Sequence, residues 1–197
     1  MAAFLFDEAS HTYTLDGRVV PSVTQVIAPL HDLSRVPHDV LERKRALGVA
    51  VHLACELDDE GELDDEATDA VVMGYVNGWR AFRRDVGATV LMNERRLAHR
   101  GLGFAGTLDR VVLTRDGLVF LVDIKTAVSM SPVYGVQLAG YMLLLEAEGV
   151  PLPAPVQRKG LQLSPDGVYR LVPYINPNDR PAFCGLLAVH HWKESNK

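Results

Sequence analysis

A stretch in the middle of the chain sets two charged residues at the end of its most strand-like segment. Residues 118–126 read LVFLVDIKT, so that five apolar residues run into Asp123 and Lys125 follows two places on. Charges at the end of a strand built for burial are costly unless they are paired or used. Strand alternation puts Val119, Leu121, Asp123 and Lys125 on one side, and Leu118, Phe120, Val122 and Ile124 on the other. Just upstream, GTLDRVVLT (106–114) carries Asp109 and is joined to this run by the turn Thr114-Arg115-Asp116-Gly117. The two runs must therefore pair antiparallel, which brings Asp109 near Lys125 or Asp123. Two carboxylates and a lysine then converge at one strand end.

Two carboxylates, with a backbone carbonyl such as that of Ile124, make a hard oxygen site suited to Mg²⁺ or Mn²⁺. An ion there can bind a phosphate oxygen, acidify a water and stabilise a leaving oxyanion. A lysine beside it can orient or deprotonate that water, because burial near a cation lowers an amine's pKa. Together these groups would hydrolyse a phosphodiester. The competing reading is an ordinary Asp–Lys ion pair capping a strand.

Four further residues bear on that choice. Glu94, in NERRL, can add a third carboxylate, or can be an exposed strand residue. His52, in GVAVHLACE, is a metal-ligand candidate if a carboxylate site exists, and otherwise a helical histidine at the core boundary. Gln137 and Tyr141 are four apart and share a helix face. They can hydrogen-bond a DNA backbone or brace the lysine; a solvated glutamine and a core tyrosine are the structural alternatives.

The elements that must hold these residues follow from pattern. TYTLDGRVV (12–20) reads as a hairpin around Asp16-Gly17, and Pro21-Ser22 opens a short helix with Ser22 and Gln25 in capping-box spacing. An amphipathic helix is expected from Pro37 to about Leu57, with Asp39 as N-cap. A second, from Ala67 to Val86, contains Gly74 and Gly78, which suit close packing against a neighbour. Strands at 88–98, 106–114 and 118–126 follow. A helix near Pro132 ends at Gly149. VQRKGLQLS and GVYRLVPY form a hairpin across Pro165-Asp166-Gly167, and a last helix spans roughly 179–193. This order defines an α/β domain with a mixed sheet flanked by helices.

Composition bounds the rest. At 197 residues and 48% hydrophobic, the chain is expected to be one domain with a substantial core. The start, MAAFLFDEAS, lacks a signal-peptide core, and no apolar run reaches a membrane span, so a soluble, cytoplasmic setting and no membrane partner are expected. Net charge is −5, but residues 56–69 alone hold nine acids and no bases. Without them 16 acids face 20 bases, so a polyanionic partner is not excluded. The acidic run reads as a solvated loop or helix end. Basic clusters at Arg43-Lys44-Arg45, Arg80 with Arg83-Arg84, Arg95-Arg96 with Arg100, and Arg158-Lys159 read as wet faces or phosphate contacts.

GVAVH, the Glu of NERRL, GTLDR, VDIKT and QLAGY stand in the order expected of the PD-(D/E)XK nuclease superfamily. The chain resembles most its RecB-like branch, with the lambda-exonuclease and mitochondrial genome maintenance exonuclease types. VPSVTQVI looks like the N-terminal part of that branch. The resemblance implies a restriction-endonuclease-like core over 37–197 after an N-terminal hairpin and short helix over 1–36. It implies that His52, Asp109 and Asp123 bind Mg²⁺ or Mn²⁺, that Lys125 is catalytic, and that Glu94 is an accessory acid. Gln137 and Tyr141 become the helix motif beside the site. Leu108 stands where the superfamily's name has proline. Some relatives hold an iron–sulfur cluster with four cysteines; with only Cys55 and Cys184 here, none is expected. The function implied is an exonuclease on linear DNA with ends, in recombination, repair or phage replication. A homo-oligomer and a recombination partner protein are implied by the same likeness. An endonuclease, of restriction or structure-specific type, and a catalytically silent DNA-end-binding module are the alternatives.

Overall fold

The computed structural model describes residues 3–32 and 36–196; the expected domain limits at 1 and 197 lie outside them. Five strands form the main sheet: β4 (Thr89–His99), β5 (Phe104–Leu113), β6 (Val119–Lys125), β7 (Val156–Leu163) and β8 (Tyr169–Pro173), side by side in that order. Neighbours are antiparallel except β6 and β7, which are parallel. A parallel pair needs a crossover, and α4 (Val133–Glu148) supplies it. This is the mixed, helix-flanked sheet expected from the order of elements.

Alternation along β6 sorts the core into two layers. Val119 and Leu121 pack with α1 (Val23–Ile27), α4 and α5 (Asp179–Ser195). Phe120, Val122 and Ile124 pack with α2 (His38–Glu60) and α3 (Ala70–Val86). Of these five, Val119, Leu121 and Val122 are fully buried, each contributing roughly 1.5–3 kcal/mol by transfer from water. A strand covered on both faces must be apolar throughout, which explains the run before Asp123.

Local signals behave as their chemistry requires. Ser22 and Gln25 form a reciprocal capping box at the start of α1. Gly74 lies so close to the β7–β8 turn that a Cβ there would stand 1.9 Å from the Pro165 carbonyl oxygen. Three expectations change. Asp39 does not cap α2; Pro37 holds the cap position and Asp39 sits in the first turn, where it pairs with Arg43 at 2.7 Å. Helix α3 starts at Ala70, because Asp69 accepts from Val71 N–H and Val72 N–H and so fixes its beginning. The N-terminal hairpin, β2 (Thr12–Leu15) and β3 (Arg18–Val20), gains a third strand, β1 (Phe4–Asp7), paired with β2. Tyr13 ties this small sheet to β5 through a 2.7 Å hydrogen bond with Thr107.

Among the described residues, no helix is long and apolar enough to cross a membrane.

Candidate metal centre

The ladder between β5 and β6 ends with Arg110 opposite Val122, so that Asp109 and Asp123 are the next residues on the two strands. There the Asp109 carboxylate replaces a ladder partner: its Oδ2 accepts from Ile124 N–H at 2.7 Å. Asp123 is 1% exposed, and its Oδ2 lies 2.7 Å from Lys125 Nζ. Its Oδ1 is buried with no hydrogen-bond partner among the described residues. An orphaned buried carboxylate oxygen is expensive, and a cation is the species that would relieve it. Lys125 also sits over the Tyr134 ring, its Nζ 4.8 Å from the centroid.

Helix α2 delivers His52 to the same strand end. Its Nε2 is 3.1 Å from the Ile124 carbonyl oxygen, while Nδ1 is 3.6 Å from Asp109 Oδ2 and 3.7 Å from Glu94 Oε1. With Nε2–H donating to Ile124, Nδ1 faces the two carboxylates, which is how a ligating histidine is oriented by the bond its other nitrogen makes. The potential ligand atoms of His52, Glu94 and Asp109 all lie within 4.8 Å of one another. Asp123 falls outside that group, held against Lys125. The Ile124 carbonyl is engaged by His52 on one side.

Glu94 reaches this position through a distorted backbone. It lies in β4 between Asn93, opposite Arg110, and Arg95, opposite Leu108, and its φ is +40°. A left-handed conformation costs roughly 1–2 kcal/mol for a residue with a Cβ, and such strain concentrates at functional sites. Arg110, fully buried, donates from Nη1 to Glu94 Oε1 at 2.8 Å and to the Asp109 carbonyl at 2.8 Å.

The charges perturb one another. Burial works against a proton on His52, but Asp109 and Glu94 outweigh it and lift the imidazole to about 9. Burial pushes Asp123 up to about 6, even though Lys125 pulls the other way. Burial likewise opposes the Lys125 ammonium, yet Asp123 and Asp109 hold it above the usual lysine range. At neutral pH, without a metal, His52 and Lys125 both carry protons among the acids. The lowered amine pKa expected beside a cation is therefore not a property of the metal-free site.

Gln137 and Tyr141 are brought to the same cleft from α4, and both are buried. Gln137 Nε2 donates to the Tyr141 hydroxyl at 3.2 Å. Burial, reinforced by Asp123 and Asp109, raises Tyr141 well above the usual phenol range, so its hydroxyl keeps its proton. The cleft itself has a volume of about 650 Å³; Ser22, Arg45 and Gly48 also line it, beyond the acids, His52 and Lys125.

The sequence reading missed Arg110 and Asp59. The acidic run is not simply solvated: Asp58 and Asp59 lie in the last turns of α2 and bind Arg80, Arg83 and Arg110. Asp65 binds Arg80 as well, at 2.7 Å. Arg80 and Arg83 thus carry an ion-pair network on a half-exposed face rather than standing free in solvent. A signal was present, since Arg110 interrupts an apolar strand on the side opposite Asp109 and needs a buried carboxylate partner.

An α/β fold carrying a histidine–carboxylate cluster beside an Asp–Lys pair defines a candidate metal-dependent hydrolase. A family model for the PD-(D/E)XK nuclease superfamily matches residues 25–171, and the chain belongs to that superfamily of metal-dependent nucleases. No curated protein matches the chain. The donor set fits a divalent ion on this structure's own evidence: one imidazole nitrogen, two nearby carboxylates and an unpartnered buried oxygen on Asp123.

Proposed function

We propose that the protein is a Mg²⁺- or Mn²⁺-dependent deoxyribonuclease that degrades linear DNA from its ends, as a member of the RecB-like exonuclease branch. One observation carries this reading: His52, Glu94 and Asp109 converge within 4.8 Å beside the Asp123–Lys125 pair. The proposed ligands are His52, Asp109 and Asp123, with the Ile124 carbonyl behind them and Glu94 joining as the accessory acid. A divalent ion bound there supplies positive charge to a phosphoryl oxygen and acidifies water.

The chain's own groups do the rest. Lys125 holds a proton at Nζ and can donate to the attacking water or to a phosphate oxygen, while Asp123 keeps the ammonium in place. Tyr141 and Gln137 present donors to the substrate backbone from α4. His52 is oriented through Nε2, so that Nδ1 would be free to hold the ion. In this reading residues 1–197 act as one nuclease domain in a cytoplasmic setting. Recombination, repair or phage replication, a recombination partner protein and a homo-oligomer are proposed by likeness to that branch.

The test compares end-labelled linear duplex with closed circular duplex, each with Mg²⁺, Mn²⁺ or EDTA. Metal-dependent release of nucleotides from linear DNA only is the expected result. Cleavage of the closed circle would replace the exonuclease by an endonuclease. DNA binding without cleavage under any metal would point to a silent end-binding module.

A further inference from the structure

Helix α2 holds Glu94 from two points. His52 approaches it directly, with Nδ1 3.7 Å from Oε1. Seven residues on, two helical turns along the same side, Asp59 Oδ2 accepts from Arg110 Nε at 2.6 Å. Arg110 then passes the contact across to Glu94 at 2.8 Å. Asp59 is itself fixed, since its Oδ1 accepts from Trp79 Nε1 at 2.9 Å and from Arg83 at 2.9 Å. The Arg110 guanidinium lies 5.6 Å from the Trp79 ring centroid, which limits its movement on that face.

This arrangement is a poor way to gain stability. Arg110 is fully buried, and its Nη2 has no partner among the described residues. A buried ion pair with an unsatisfied nitrogen is at best neutral against an apolar side chain of similar volume. What the guanidinium offers that a methionine cannot is a rigid fork with fixed donor directions. One arm meets Asp59, the other meets Glu94 and the Asp109 carbonyl. Two candidate ligand residues are thereby referenced to one planar group, at the point where β4 is bent to φ +40°.

We propose that Asp59 and Arg110 are positioning residues for the metal centre, holding the Glu94 carboxylate in the ligating arrangement with His52 and Asp109. The inference rests on the metal-centre reading above. Outer partners of metal ligands typically change affinity by ~10–100-fold when removed. The experiment measures Mn²⁺ binding to metal-free protein by calorimetry for wild type, Arg110→Met, Arg110→Lys and Asp59→Asn, with thermal unfolding in EDTA alongside.

The expected result is a Mn²⁺ affinity weakened about tenfold or more in Arg110→Met and Asp59→Asn, with a smaller loss in Arg110→Lys. The affinity loss does not follow the midpoint of unfolding, as a general loosening of the fold would require. If Arg110→Met does not fold, Asp59→Asn decides alone, because it withdraws the charge that anchors Arg110 Nε without changing the size of the side chain. Wild-type Mn²⁺ affinity in folded Asp59→Asn overturns the inference and leaves the nuclease reading intact. Absence of Mn²⁺ binding in the wild type overturns both.

Discussion

The Asp109 carboxylate accepts from Ile124 N–H at 2.7 Å, at the point where the β5–β6 ladder stops. A side chain thus does the work of a backbone partner, and it locks the two acid-bearing strands together at the height of Asp123. His52 completes the arrangement by meeting the carbonyl oxygen of the same residue, Ile124, at 3.1 Å. The register of the strands and the positions of the candidate ligands are therefore one structural fact.

Lys125→Ala tests the division of labour. The ammonium is held by Asp123 and lies outside the His52–Glu94–Asp109 group, so the substitution should leave Mn²⁺ binding within about threefold and cut the rate by ~10²–10⁴-fold. Calorimetry and single-turnover cleavage of end-labelled DNA check the two halves. Metal-dependent cleavage at the wild-type rate would remove Lys125 from the chemistry.

Proton release on metal binding follows from His52. Its pKa is raised to about 9 in the metal-free protein, so an ion that takes Nδ1 must displace a proton at pH 7. Apparent Mn²⁺ affinity should therefore rise with pH, by up to about tenfold per unit, and level off above about 9. Titrations in buffers of different ionisation enthalpy should count close to one proton released at pH 7, and a His52→Gln variant should lose that proton.

The same shift fixes the sign of a stability effect in EDTA. A histidine whose folded pKa lies above its unfolded value, 6.5, stabilises the fold fully below that value and loses the effect as pH rises through about 9. Metal-free wild type should thus lose stability between these limits relative to His52→Gln. Urea midpoints at pH 6, 7.5 and 9 check this, and parallel curves would contradict the electrostatic picture of the site.

Gly74 probes the fold away from the chemistry. A Cβ at this position would stand 1.9 Å from a backbone oxygen of Pro165, which no rotamer change relieves. Gly74→Ala should force α3 away from the β7–β8 turn and cost about 1–3 kcal/mol or more, despite alanine's better helix propensity. Chemical denaturation reads the loss directly.

Much of the site was open to sequence reasoning because its residues lie in elements with strict periods. Strand alternation placed Asp123 and Lys125 together, and the Thr114–Gly117 turn brought Asp109 alongside. Helical spacing joined Gln137 to Tyr141. What alternation could not supply was the far partner of Arg110: Asp59 is 51 residues away in sequence, inside a run of acids that local reasoning assigns to solvent. Nor does any local pattern announce the positive φ of Glu94, since glutamate has no preference for it and tertiary contacts impose it. Strand β1 escaped for a simpler reason. Four residues beside an acidic turn form no clear period, and only pairing with β2 makes them a strand.

The nuclease reading requires a divalent ion held by His52, Asp109 and Asp123, with Glu94 joining them as the accessory acid. Anomalous diffraction from crystals grown with Mn²⁺ measures this directly. The expected result is a peak within ligand distance, about 2.0–2.3 Å, of His52 Nδ1, an Asp109 oxygen and an Asp123 oxygen, with Glu94 as the accessory acid. A fully occupied Mn²⁺ site elsewhere in the molecule, with this cluster still closed on itself, would contradict it.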